Sequence, residues 1–290
     1  MIFDGREFAE KKEIQLKAEV EKIKKSGVVP KLVSILADNS KETELYVSLK
    51  AKFAQRIGAI FDIHHFDGAS TLEIVSDIKE ANKDNSVHGI MVQLPVLNEH
   101  EILPVINPQK DVDCLTAVNL GLIALGRPKF LPATVKATVE VIKFALSQTE
   151  NKPAEQMEDR FLSGKNVCVV GASIIVGKPL SILLSDLGAT VTICRSTTKN
   201  LSEFTKGADI LVSATGVIDL INKEMVKEGA IVIDVGISKL LREGKFRVVG
   251  DVNENVLAKT SFLTPVPGGI GPVTVASLFE NLLSALRQGL

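Results

Sequence analysis

The chain has no excess of charge of either sign, few cysteines or histidines, and no apolar run long enough to span a bilayer. Lysine plus arginine number 34 against 35 aspartates and glutamates, a net charge of −1. A nucleic-acid binder, which needs a basic face, is therefore disfavoured. Cys114, Cys168 and Cys194 are odd in number and widely spaced, which argues against a disulfide scaffold and for a reducing cytoplasm. His64, His65, His88 and His100 are scattered too, without zinc-type spacing, so no metal site is expected. The start, MIFDGRE, lacks a basic stretch followed by an apolar one, which adds to the expectation of a cytoplasmic protein without a membrane segment. What is present is an ordinary globular composition, 45% hydrophobic and 24% charged over 290 residues, enough for one or two domains.

Short β-branched apolar runs alternate with longer amphipathic segments, the pattern of βαβ construction. KLVSILA (31–37), IFDIHHF (60–66) and VHGIMVQ (87–93) are the early strand candidates, with helices expected at about 41–57 and 70–83. A second series follows: NVCVVGA (166–172), TVTIC (190–194), DILVSA (209–214), AIVIDV (230–235) and RVVGDV (247–252). Continuously apolar strands of this kind suit parallel sheets covered on both faces. The polar stretch 147–165 reads as a surface connection between the two series. VKATVEVIKFAL (135–146) before it reads as a helix with Thr134 as N-cap. After the second series a Pro/Gly turn leads into an apolar helix within 264–286, which could pack back on the first domain and make that domain discontinuous.

VVGASIIVGKPL (169–180) resembles two phosphate-loop patterns and matches neither. Against Gly-x-x-x-x-Gly-Lys-Ser/Thr it has an extra residue between Gly171 and Gly177, and Pro179 stands where a magnesium-binding hydroxyl belongs. Against Gly-x-Gly-x-x-Gly it has Ser173 for the middle glycine and a longer gap to the last. Its place between a strand and a helix favours the dinucleotide reading, with unpaired N–H groups at the helix start facing phosphate. Gly171 allows a tight turn, and Gly177 a close approach of helix or ligand. The next strand ends in Arg195, Ser196 and Thr197, with no carboxylate to hold ribose hydroxyls. Arg195 and Ser196 together suit a 2′-phosphate, so the residues favour NADP over NAD. The alternatives are a turn that binds nothing and a solvated arginine.

Tyr46, the only tyrosine, and Lys50 lie four apart on a predicted helix and share a face. Short-chain dehydrogenases also use Tyr-x-x-x-Lys, but downstream of their nucleotide loop, whereas this pair lies far upstream. Gln93 follows a strand candidate and is near Pro95, where the ladder must stop; ligands gather at such carboxyl ends. Gln93 with a carboxylate from Asp111 or Asp113 could read a heterocycle that alternates N–H and C=O edges. Either group could instead serve a local turn.

In order, YVSLK, VQLPV, KDVDCLTAVNLG, VVGASIIVGKPL, ATVTICRS, ADILVSATG, AIVIDVGI, VVGDV and TPVPGGIGPVTVASL resemble the bifunctional methylenetetrahydrofolate dehydrogenase/methenyltetrahydrofolate cyclohydrolase family over nearly the whole chain. The resemblance implies a cytoplasmic homodimer acting on tetrahydrofolate derivatives, with a folate cleft between a catalytic and an NADP domain. It implies an α/β fold of two domains. An N-terminal βαβ catalytic domain completed by the C-terminal helix would take 1–139 plus 270–290, and a Rossmann-like domain 140–269. Lys50 is then the catalytic lysine of the cyclohydrolase step, Tyr46 stacks on or orients the folate, Gln93 tunes Lys50, and Asp113 holds the pterin. Gly171, Ala172, Ser173, Ser196 and Ile237 align with cofactor-contacting positions.

The chain departs from the family pattern in four places. Ala172 replaces the arginine of Gly-Arg-Ser, and Arg195 stands where histidine is usual. PATVKA (132–137) keeps only Pro132 and Thr134 of Pro-Cys-Thr-Pro-x-Gly, and Cys114 replaces a glycine, so the turn beside Asp113 must avoid positive φ or accept strain. NAD dependence, a dehydrogenase-only member and a non-catalytic dinucleotide sensor are the rival functions.

Overall fold

The computed structural model describes residues 1–37, 41–242 and 245–289. The helices are α1 (Gly5–Lys24), α2 (Lys41–Ile57), α3 (Thr71–Lys83), α4 (Glu99–Ile102), α5 (Ala117–Ala124), α6 (Ala133–Thr149), α7 (Gly177–Asp186), α8 (Leu201–Thr205) and α9 (Ile270–Gly289). The strands are β1 (Lys31–Leu36), β2 (Ile60–His65), β3 (Gly89–Val92), β4 (Asn166–Val170), β5 (Thr190–Cys194), β6 (Ile210–Ser213), β7 (Ile231–Asp234), β8 (Ser238–Arg242), β9 (Lys245–Val249) and β10 (Phe262–Leu263). None of the helices among the described residues is long and apolar enough to cross a membrane.

The chain divides into two compact units, Ala9–Ala133 with Val275–Leu290, and Met1–Phe8 with Thr134–Thr274. In the first, β1 pairs in parallel with β2 on one side and β3 on the other. Its core joins Leu32, Phe53, Ile57 and Met91 to Phe279 and Leu282 of α9, with the Phe53 and Phe279 rings stacked at 5.3 Å. The Asn281 side-chain amide donates to the carbonyls of Val112 and Leu131, both at 2.8 Å, which pins the loops around them to α9. A reciprocal cap starts α3: the Glu73 N–H donates to Ser70 Oγ, and the Ser70 N–H donates to the Glu73 carboxylate. Such a cap satisfies backbone N–H groups that the helix itself leaves unpaired.

The second unit holds a five-stranded parallel sheet in the order β10-β7-β6-β4-β5. Every residue of β6 and β7 is buried, as expected for strands covered on both faces. The order steps outward in both directions from β4 and β6, so the crevice for a ligand lies at the carboxyl ends of these two strands.

Two local expectations fail, and one helix has no counterpart among them. RVVGDV does not join the parallel sheet: β9 pairs antiparallel with β8 as a separate two-stranded ribbon, and β10 takes the edge beside β7. Arg247 is exposed, and Val248 and Val249 are only half-buried, so the segment lacks the two apolar faces of an inner strand. Thr134 is not an N-cap, because α6 already starts at Ala133; the Thr134 carbonyl accepts the Thr138 hydroxyl at 2.8 Å inside the helix. The long helix α1 was not anticipated, since among its residues from Ala9 onward only Ala9, Leu16 and Val20 are buried, too sparse a stripe to read.

Candidate active site

In the first unit, α2 carries Tyr46 and Lys50 one turn apart, and both are half-buried. Lys50 Nζ donates to Gln93 Oε1 at 2.9 Å. Gln93 stands just beyond the carboxyl end of β3, and its own N–H donates to the Ile35 carbonyl of β1. Burial lowers the Lys50 ammonium pKa, and the negative charge of Asp113 opposes that shift. Burial raises the Asp113 carboxyl pKa, while Lys50 and the Ala133 N–H pull it back. Burial also raises the Tyr46 phenol. The structure thus brings Lys50, Gln93 and Asp113 together in one partly desolvated polar cluster.

Asp113 is set in place by its neighbour. Asp111 forms a parallel bridge with Ile90, so the segment leading to Asp113 runs alongside β3. The fully buried Asp111 carboxylate accepts the N–H groups of Leu115 (3.0 Å) and Thr116 (2.9 Å), the Thr116 hydroxyl (2.7 Å) and the Asn119 amide (2.8 Å). Asp111 is therefore structural, and Asp113 is the carboxylate left to face Lys50. The turn accepts the strain that the cysteine foreshadows: Cys114 has φ 58°. The left-handed conformation costs an L-residue about 1–2 kcal/mol. The Asp111 hydrogen bonds, and a fully buried thiol 3.5 Å from the Phe130 carbonyl, hold it there.

In the second unit the Gly171 turn has φ 115°, and a Cβ on Gly171 would lie 2.3 Å from the Ala214 carbonyl oxygen. Gly177 is more tightly placed still: a Cβ there would sit 1.9 Å from the Gly171 carbonyl oxygen. Both positions require glycine for backbone contact. The start of α7 corrects one expectation. Its N–H groups are not open to a ligand, because Ser173 Oγ accepts from Val176 (3.2 Å) and Gly177 (3.4 Å), and the Ser173 carbonyl accepts from Lys178 (3.0 Å). The open donors lie earlier: among the described residues no protein acceptor takes the N–H groups of Ala172, Ser173, Ile174 and Ile175.

β4 and β5 run side by side to this point, with the Gly171 N–H donating to the Cys194 carbonyl at 2.9 Å. Arg195 and Ser196 follow directly, both exposed. A turn holds their backbone, with the Arg195 N–H on Thr198 Oγ1 and the Thr198 N–H on the Arg195 carbonyl, both at 2.9 Å. Ile237, after β7, is also exposed. Four free N–H groups beside an exposed guanidinium and hydroxyl fit the diphosphate and an additional phosphate of a dinucleotide.

Two carboxylates near the carboxyl ends of β6 and β7 carry no functional signal in the sequence, where AIVIDV and RVVGDV read as strands. Asp234 accepts the N–H groups of Gly236, Asp251 and Val252, and Asp251 accepts from Ser213 and Thr215. Burial pushes the Asp234 carboxyl up to about 7 despite its three donors. The local signal is slight: Asp234 directly follows an apolar run, and Asp251 follows another after one glycine, Gly250.

Two family models cover almost the whole chain. Tetrahydrofolate dehydrogenase/cyclohydrolase, catalytic domain, matches residues 3–113, and the NAD(P)-binding domain of the same family matches 132–289. The bifunctional protein FolD of Bacillus subtilis is 42% identical over 294 residues, 100% of this chain and 98% of that protein. The crystal structure of the bifunctional FolD methylenetetrahydrofolate dehydrogenase/cyclohydrolase from Campylobacter jejuni superposes with a TM-score of 0.90 at 37% identity, covering 100% of this chain and 99% of that one. The Trypanosoma brucei N5,N10-methylenetetrahydrofolate dehydrogenase-cyclohydrolase, crystallised with NADP and an inhibitor, has a TM-score of 0.90 at 32% identity, covering 100% and 98%. With both halves matched and the fold shared, the chain belongs to the tetrahydrofolate dehydrogenase/cyclohydrolase family.

Proposed function

We propose that this protein oxidises 5,10-methylenetetrahydrofolate to 5,10-methenyltetrahydrofolate with NADP and hydrolyses the product to 10-formyltetrahydrofolate. The observation that carries the reading is the Lys50–Gln93 hydrogen bond beside Asp113, at the carboxyl end of β3. We assign Lys50 to proton transfer in hydrolysis, Gln93 to its orientation, Asp113 to the pterin edge and Tyr46 to a folate face. Gly171, Ala172, Ser173, Gly177, Arg195, Ser196 and Ile237 are assigned to the dinucleotide. The same reading takes the protein as a cytoplasmic homodimer, with 1–139 plus 270–290 binding folate and 140–269 the dinucleotide.

The chemistry matches these residue types. The substrate carries a methylene between two nitrogens, whose lone pairs stabilise the cation left when hydride departs. Bound nicotinamide supplies the hydride acceptor. That step needs alignment and no strong base. Hydrolysis adds water to the methenyl carbon, breaks the bond from that carbon to N5, leaves a proton on N5 and releases one proton to solvent as the cation becomes the neutral 10-formyl amide. A lysine with its pKa lowered by desolvation can take the proton from water and return it. Gln93 Oε1 holds the amine in place while it does so.

The test is absorbance with methylenetetrahydrofolate and each dinucleotide: reduced nicotinamide and then loss of the methenyl band are expected with NADP, and no reduction of NADP or NAD overturns the proposal. Arg195→Ala is expected to raise the KM for NADP at least about tenfold, the value of one charge-assisted contact, and to leave NAD almost unchanged. An unchanged NADP/NAD preference removes Arg195 from the phosphate site.

Asp113→Asn tests the electrostatics. The Asp113 charge raises the Lys50 pKa, so its removal lets that pKa fall further, and the neutral amine becomes available at lower pH. The rising limb of kcat for hydrolysis should move toward acid while the KM for folate rises. A limb that stays fixed or moves toward alkali contradicts the pairing.

A further inference from the structure

We propose that Asp251 is a positioning residue for dinucleotide binding, which fixes the backbone on which the Gly171 turn rests. The inference builds on the dehydrogenase reading and adds a residue outside the glycine loop. Asp251 is fully buried, and its Oδ2 accepts three donors: Ser213 Oγ (2.8 Å), Thr215 N–H (2.7 Å) and Thr215 Oγ1 (2.8 Å). These two residues flank Ala214, whose N–H donates to the Val170 carbonyl at 2.8 Å and whose own carbonyl packs on Gly171. One carboxylate oxygen therefore sets Ala214, and Ala214 sets the height of the turn that presents the free N–H groups of 172–175.

The other oxygen faces the neighbouring strand end. Asp251 Oδ1 is buried without a hydrogen-bond partner among the described residues. It lies so close to Gly236 that a Cβ there would come within 1.9 Å. Gly236 and the Asp251 backbone both donate to Asp234 Oδ1, at 2.9 and 3.1 Å. The same pair thus seats Ile237, the next residue after Gly236. Ser238 closes the frame by donating its hydroxyl to the Gly216 carbonyl at 2.7 Å. A buried carboxyl with an unpartnered oxygen is costly. What it secures is the relative height of the segments after β4, β6 and β7, which together face the dinucleotide.

The experiment measures NADP binding by fluorescence titration and both reactions by absorbance, on the full chain. Asp251→Ala should raise the Kd and KM for NADP by about ten- to a hundredfold, the effect expected when the Ser213 and Thr215 donors lose their acceptor and the segment they flank is released. Dehydrogenase kcat at saturating NADP, and methenyl hydrolysis without dinucleotide, should stay within about threefold, because only positioning for binding is lost. Asp251→Asn keeps an acceptor for Ser213 and Thr215 and should restore most of the affinity. Unchanged NADP affinity in a folded Asp251→Ala protein overturns the inference, as does an equal loss of binding and hydrolysis, which marks a general fold defect. Should Asp251→Ala not fold, Thr215→Val removes one donor at constant shape; about threefold weaker NADP binding is expected, and wild-type affinity rejects the role. Absence of NADP binding in the wild-type protein would instead overturn the dehydrogenase reading itself.

Discussion

Lys50→Met should lower methenyl hydrolysis by about two to four orders of magnitude, the range of a lost general acid–base group, while hydride transfer falls no more than about tenfold. The asymmetry follows from the two transition states. Hydride departure is driven by nitrogen lone pairs within the substrate and asks the protein for alignment. Water addition needs a group that gains and returns a proton near neutral pH. Lys50 has the means: burial lowers its pKa, and Gln93 holds it at 2.9 Å. Methionine keeps the length and the apolar stem, so packing on α2 is largely retained. The two steps are read in one cuvette, reduced nicotinamide for the first and decay of the methenyl band for the second. Equal retention of both, or their equal loss, would withdraw the assignment.

Gly177→Ala should cost the dehydrogenase about a hundredfold in kcat/KM and leave methenyl hydrolysis nearly intact. The new methyl group would sit 1.9 Å from the Gly171 carbonyl oxygen, and both partners are backbone, so neither can rotate away. Relief requires that the start of α7 or the Gly171 turn move, and the N–H groups of 172–175 move with it. The stability loss expected from such overpacking is about 1–3 kcal/mol. Hydrolysis measured without dinucleotide separates the local effect from unfolding, and a dehydrogenase of wild-type efficiency would refute the close contact.

The αβ alternation, the helices α2 and α3, and most strands are legible because their signals are local: short β-branched apolar runs and longer amphipathic segments. Gln93 is readable at a strand end, Lys50 one turn from Tyr46 on a helix and Asp113 as a carboxylate in a polar loop, but the three are far apart in sequence. Nothing local says that Lys50 donates to Gln93, or that Asp111 rather than Asp113 is consumed by four hydrogen bonds. The pairing of RVVGDV is not local either: β9 lies antiparallel to β8. Its β-branched pair suits any strand, and nothing local says that β10, not this segment, pairs with β7.

The amino-acid order by itself determined the two βα series, the glycine turn between β4 and α7, and the lack of a carboxylate after β5, since each depends on neighbours within a few residues. The tertiary structure alone decided that Cys114 takes φ 58°, that Ser173 rather than a ligand satisfies the start of α7, and that Asp251 meets Ser213 and Thr215. Those outcomes turn on burial and on hydrogen bonds closed between distant segments. Their free energy exists only once the sheets have assembled and water has left.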